Sequence, residues 1–166
     1  GSGKTAIGKL ASRLLGFQFL DTDQLIVDRA GRQITDIFAT DGEPAFRKLE
    51  TNVLESLSHI NRCIISTGGG AVLLESNREI LRSLGFVVLL NASEETLYER
   101  ISRNTKRPLL QTENPRATLS KLLAERSEAY ASAADFTLDT TNLSHNAAAE
   151  SLEAAARTAF AWTRKA

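Results

Sequence analysis

The chain has 166 residues, of which 42% are hydrophobic and 24% charged, the balance of an ordinary soluble globular protein rather than a disordered, collagenous or membrane-spanning one. Twenty Lys and Arg offset twenty Asp and Glu, so no net field draws in nucleic acid or an anionic membrane surface, and any anion must be held locally. A single Cys63 excludes an internal disulfide. With no apolar run near about 18 residues and no signal-peptide pattern, a monomer in a reducing, cytoplasmic setting is expected.

The sequence lacks Met and opens on G-S-G-K-T, which reads as a fragment or a trimmed end. Over residues 5–15, Ile7, Leu10, Ala11, Leu14 and Leu15 fall at helical spacing, so a helix with one buried face starts directly after the Gly-rich opening. Gly16 punctuates, and F-Q-F-L-D at 17–21 alternates and ends on an acid, the pattern of a short strand. Residues 22–30 predict a helix closed by Gly31. Two more helical stretches, 34–40 and 43–60, are separated by Asp41-Gly42, and the apolar run Cys63-Ile64-Ile65 ends in T-G-G-G at 67–70. A helix over 77–84 and Gly85 lead into F-V-V-L-L at 86–90, continuously apolar as a strand buried on both faces should be. Ser93 caps a helix over 94–103. Periodicity then lapses across 104–117, a polar stretch with Pro108 and Pro115 that reads as a loop or lid. A helix over 119–133, a strand over 136–140 and an Ala-rich helix over 144–164 complete the chain. Helix-separated strands favour parallel pairing. The expectation is one α/β domain over 1–166, a doubly wound parallel sheet with helices on both faces, a substrate-binding helical region over 22–60 and a lid over 104–118.

Gly3-Lys4-Thr5 opening a helix is the second half of G-x-x-x-x-G-K-[ST], in which backbone N–H groups wrap phosphate oxygens, Lys neutralises charge and the hydroxyl ligates magnesium. Gly1, Ser2, Gly3 and Lys4 are therefore candidates for a nucleotide's phosphates, and Thr5 for Mg2+; the plainer alternative is a surface Lys after a Gly-Ser start. Asp21-Thr22-Asp23 falls at the carboxyl end of a strand, where open α/β sheets place ligands. There Asp21 can reach magnesium through water, and Asp23 can hold a substrate hydroxyl in line with a γ-phosphate. Helix capping by Thr22 or Asp23 is the alternative.

In G-E-P-A-F-R-K-L-E at 42–50, Glu50 at i+3 can hold the Arg47 guanidinium for carboxylate recognition, unless the two form only a solvated ion pair. Gly68, Gly69 and Gly70 mark close approach by a ligand or another backbone, or else a flexible turn. Arg100, Arg103, Lys106 and Arg107 cluster beside the lid, and Arg126 follows on the next helix with Tyr130 one turn on. A cationic lid closing over ATP can exclude water and stabilise charge on the transferring phosphoryl group; without the phosphate loop the cluster reads as a solvated surface. No chemistry is assigned to His59, His145 or Cys63.

From Gly1 to about Thr141, the ordered motifs G-S-G-K-T, D-T-D, G-E-P-A-F-R-K-L-E, T-G-G-G-A, R-P-L-L and E-R-S-E-A-Y make the chain resemble the shikimate kinase family, in the nucleoside-monophosphate-kinase branch of P-loop proteins. The resemblance implies transfer of the ATP γ-phosphate to the 3-hydroxyl of shikimate, on the route to chorismate and aromatic amino acids, with Mg2+ as cofactor. It implies that Lys4 holds the β- and γ-phosphates and that Thr5 ligates magnesium with Asp21 assisting through water. By the same resemblance Asp23 orients the attacking hydroxyl, Arg47 and Arg126 grip the shikimate carboxylate, and Gly68, Gly69 and Gly70 line that pocket. Arg107 would reach across to the phosphates and Arg100 would stack on adenine. The family's sheet has about five strands, and its central first strand, expected upstream of the phosphate loop, is absent from this sequence. Where the family's adenine loop often carries an Arg, the chain has Leu143-Ser144-His145-Asn146, and from Asn142 onward it matches only as a helix. Two further readings stay open: a P-loop kinase for another small polyol acid such as gluconate, and a non-catalytic module that senses a nucleotide or shikimate.

Overall fold

The computed structural model describes residues 1–102 and 113–161. Helix α1 (Lys4–Leu15) begins after Gly3, which sits at φ 84° with no side-chain cap, and Gly16 closes it at φ 67°. Both are left-handed positions that favour glycine. Strand β1 (Gln18–Asp21) runs straight into α2 (Thr22–Ala30). The cap of α2 is Asp21, whose Oδ1 accepts the Asp23 N–H at 3.1 Å, so neither Thr22 nor Asp23 does the capping. Helix α3 (Ile34–Ser56) is broken at Gly42 (φ 81°, ψ 173°), where Asp41-Gly42 predicted a separation. It ends earlier than the predicted 60, because the chain turns through Leu57.

Strand β2 (Cys63–Ser66) leads through the glycines to a 3-10 turn at Ala71–Leu73 that periodicity did not reveal, and then to α4 (Glu75–Leu84). Strand β3 (Val88–Asn91) and α5 (Glu94–Ser102) follow, with Ser93 Oγ accepting the Thr96 N–H as predicted for a cap. Helix α6 (Pro115–Ala133) starts earlier than predicted, so the end of the expected lid is helical. Asn114 caps it by accepting the Ala117 N–H at 3.0 Å, and Pro115 occupies the first turn, where a missing N–H removes no helical bond. Strand β4 (Phe136–Asp139) and α7 (His145–Ala159), capped by Ser144, close the described fold.

The strands pair in parallel as predicted, in two pairs, β1 with β2 and β3 with β4, the division expected of a chain without the family's central first strand. The expectation that 86–90 would be buried on both faces fails for the same reason. With one hydrogen-bonded neighbour, β3 buries Leu90 but leaves Val88 and Leu89 half-buried. Helix α1 joins the pairs. Its Ile7 and Ala11 pack with Leu90, Leu138, Ala148 and Ala149, and Ile64 of β2 closes against the same cluster. Ile26, Ile37, Phe46 and Val53 lock α2 onto α3, while Leu54, Val72, Leu81 and Ala133 gather the end of α3, the 3-10 turn, α4 and α6. Among the described residues no helix is long and apolar enough to cross a membrane.

Candidate active site

The register of the first strand pair sets Asp21 opposite Ser66, so the acidic turn and the triple glycine leave the sheet side by side. Fully buried Thr22 ties them: its Oγ1 accepts the Gly68 N–H at 3.4 Å. Each glycine then faces a different side chain. A Cβ on Gly68 would lie 2.8 Å from Asp23 Oδ1, one on Gly69 would lie 3.3 Å from Tyr130 Oη and 3.7 Å from Arg126 Nη1, and one on Gly70 would lie 2.5 Å from Arg47 Nη1. None of the three has a positive φ, so what a Cβ would disturb here is the close approach of these side chains and not the backbone conformation. Asp23, Arg47 and Arg126, from three helices, thus converge on one stretch of bare backbone.

Arg47 is held on two sides. Its Nη1 donates to Glu50 Oε2 at 2.8 Å, and its Nε and Nη2 donate to Glu43 Oε1 at 3.1 and 2.9 Å. The Glu50 side chain is 1% exposed and that of Glu43 60%. The pair with Glu50 is therefore structural rather than solvated, and Glu43, whose part the sequence reading missed, is the partner free to move in solvent. Burial pushes the Glu50 carboxyl above its ordinary value, opposed by the hydrogen bond and charge of Arg47. For Arg47 burial acts downward, but the hydrogen bonds to Glu50 and Glu43 more than offset it, so the guanidinium stays charged. Asp23 is raised too, first by burial and next by the charge of Asp21, while Lys4 and Arg47 pull it back.

Asp21 connects this cluster to α1, because its Oδ2 accepts the Thr5 hydroxyl at 3.1 Å while Oδ1 caps α2. A cleft of about 370 Å³ opens beside Asp21 and Asp23 between α2 and the start of α3. The glycines of the opening are enclosed by other elements: a Cβ on Gly1 would meet Ile101 of α5 at 2.9 Å, and one on Gly3 would lie 3.4 Å from His145 Nε2 at the start of α7. Ser2 lies half-buried between them. Arg100 is tied down, donating to Thr140 Oγ1 at 3.1 Å and to the Thr140 carbonyl at 2.8 Å. Arg107, with Arg103 and Lys106, lies outside the described residues.

The sequence model of the family described as shikimate kinase matches residues 1–156. The chain belongs to the shikimate kinase family. It is 44% identical over 140 residues to the shikimate kinase of Actinobacillus pleuropneumoniae serotype 5b, covering 84% of this chain and 81% of that one. It is 40% identical over 152 residues to that of Thermodesulfovibrio yellowstonii, covering 92% and 87%. A solved shikimate kinase of Acinetobacter baumannii in complex with shikimate superposes with a TM-score of 0.87 at 36% identity, covering 99% of this chain and 90% of the other. The enzyme is therefore an ATP-dependent kinase of the shikimate pathway with the P-loop kinase fold.

Proposed function

We propose that the enzyme transfers the γ-phosphate of ATP to the 3-hydroxyl of shikimate at the cluster around Gly68, Gly69 and Gly70. The observation that supports this reading most is the convergence of one carboxylate, Asp23, and two guanidinium groups, Arg47 and Arg126, on backbone that carries no side chain. A small acid bearing hydroxyl groups matches that set: guanidinium groups take the carboxylate, and the half-buried carboxylate of Asp23 accepts from a hydroxyl. Asp23 orients the attacking oxygen and receives its proton, and its upward-shifted pKa brings it closer to the basicity that task requires. Lys4, Gly1, Ser2 and Gly3 hold the phosphates at the start of α1, and Arg107 and Arg100 are assigned to the phosphates and the adenine face. Catalysis of this kind rests on positioning and charge stabilisation.

Thr5 and Asp21 suit Mg2+: both offer hard oxygen, and the hydrogen bond of 3.1 Å from the Thr5 hydroxyl to Asp21 Oδ2 keeps them together, Thr5 as the residue that would hold the ion and Asp21 as the one that would assist through water. When bound, the ion would neutralise charge on the β- and γ-phosphates. The half-buried free thiol of Cys63 is in keeping with a reducing, cytoplasmic compartment.

The test is Arg47→Ala, assayed by ADP release. Losing charge-assisted hydrogen bonds worth about 1.5–3 kcal/mol raises the shikimate KM roughly 10- to 100-fold and leaves the ATP KM unchanged. An equal rise for both substrates overturns the assignment.

A further inference from the structure

We propose that Tyr130 is a positioning residue that holds the central peptide of the glycine turn in one of its two orientations, and thereby sets the affinity for the acceptor substrate. The proposal rests on the assignment of that turn to the acceptor site. The Ala71 N–H donates to the Gly68 carbonyl at 3.2 Å, which makes Gly68 to Ala71 a β-turn, and Gly70 at φ −94°, ψ −5° has the third-residue conformation of type I. Type II differs by a half-rotation of the peptide between Gly69 and Gly70, which needs a positive φ at the third residue. Glycine at that position makes type II accessible, so nothing in the turn's own sequence chooses between the two.

The choice comes from α6. Tyr130 Oη donates to the Gly69 carbonyl at 2.8 Å, and its half-buried ring packs on the cluster of Leu54, Val72, Leu81 and Ala133, which anchors the side chain. In a trans peptide the carbonyl and the following N–H point in opposite directions. Drawing the Gly69 carbonyl toward α6 therefore turns the Gly70 N–H away from α6, and that N–H takes no part in the turn's own hydrogen bonds. A flip would exchange this donor for a carbonyl acceptor on the face of the turn away from α6, in a stretch whose Cβ positions border Arg47 and Arg126, and so would change the polar group offered to an anionic substrate. The same bond fixes the spacing between the turn and α6, which carries Arg126 one turn earlier than Tyr130. A Cβ at 69 would lie 3.3 Å from the hydroxyl, so a side chain there would have to push Tyr130 aside by a few tenths of an ångström.

Tyr130→Phe removes the hydroxyl and keeps the ring in its apolar cluster, so the variant folds and its melting temperature stays close to that of the parent. A protein that divides its time between two turns binds with an apparent constant weakened by the fraction competent to bind. The expected result is a shikimate KM raised about three- to ten-fold, the worth of one neutral hydrogen bond, with kcat and the ATP KM within about two-fold of the parent. With 15N-labelled glycine, the Gly70 amide gives one sharp signal in the parent and exchange broadening or two signals in the variant. An unchanged shikimate KM, a parallel rise in both KM values, or a Gly70 amide unaltered by the substitution overturns the proposal. If the parent instead releases no ADP with shikimate, the reading of the site fails, while the Gly70 signal still reports whether Tyr130 holds the turn.

Discussion

Asp23 shows how the site trades stability for chemistry. Its pKa is raised above the ordinary 3.8 by burial first and by Asp21 second, so ionising it costs the folded state. That cost is absent below about pH 3.8, grows as the pH rises through the raised value and is complete at neutral pH. Asp23→Asn therefore melts higher than the parent at pH 7, the difference shrinking as the pH falls toward 3.8. The same variant loses turnover by about 10²- to 10⁴-fold, because no carboxylate remains to receive the proton. In the parent, the acid limb of the kcat/KM profile lies above 3.8, and a limb at or below that value would show that Asp23 is not the group. The carboxylates were legible at this scale because each sits next to a strand end or at i+3 from an arginine. Glu43 was missed although its signal was present: it stands four residues before Arg47, the helical i,i+4 spacing of an ion pair.

At the scale of elements, the break in α3 decides where Arg47 points. Gly42 adopts φ 81°, ψ 173°, a region open essentially to glycine alone, and the second helical segment that begins there carries Glu43, Arg47 and Glu50. Gly42→Ala is expected to destabilise the fold by about 1–3 kcal/mol, read as a lower urea midpoint with an unchanged slope. A midpoint equal to that of the parent would mean the break is not needed. Asp41-Gly42 made this element visible in sequence, since glycine after an acid interrupts helical periodicity. The start of α6 was misread although its signals were present: Asn114 and Pro115 are a cap and a first-turn proline. They were absorbed into a polar stretch because the first apolar position of the helix facing its neighbours, Leu119, comes a full turn later.

On the scale of the whole molecule, α1 brings its buried side chains into one cluster with residues of both strand pairs. Ile7 is 1% exposed there, against Leu90 and Leu138 of one pair and near Ile64 of the other. Ile7→Ala is expected to lose about 2–5 kcal/mol. Because the residue joins the pairs, unfolding remains one transition in which near- and far-ultraviolet circular dichroism change together. Two separated transitions would show that the pairs fold independently.

Local chemistry is what the sequence by itself determined: the type of each element, the acidic turn and the spacing of Arg47 and Glu50, each of which depends on residues near one another along the chain, and the family, which depends on the order of such local motifs. The tertiary structure decided which of these groups meet. Parallel pairing set Asp21 against Ser66, α6 delivered Arg126 and Tyr130 to a turn some sixty residues earlier in the chain, and the three bare glycines acquired three different neighbours. Contacts between distant segments depend on how helices pack on strands, and no periodicity within a single segment records that.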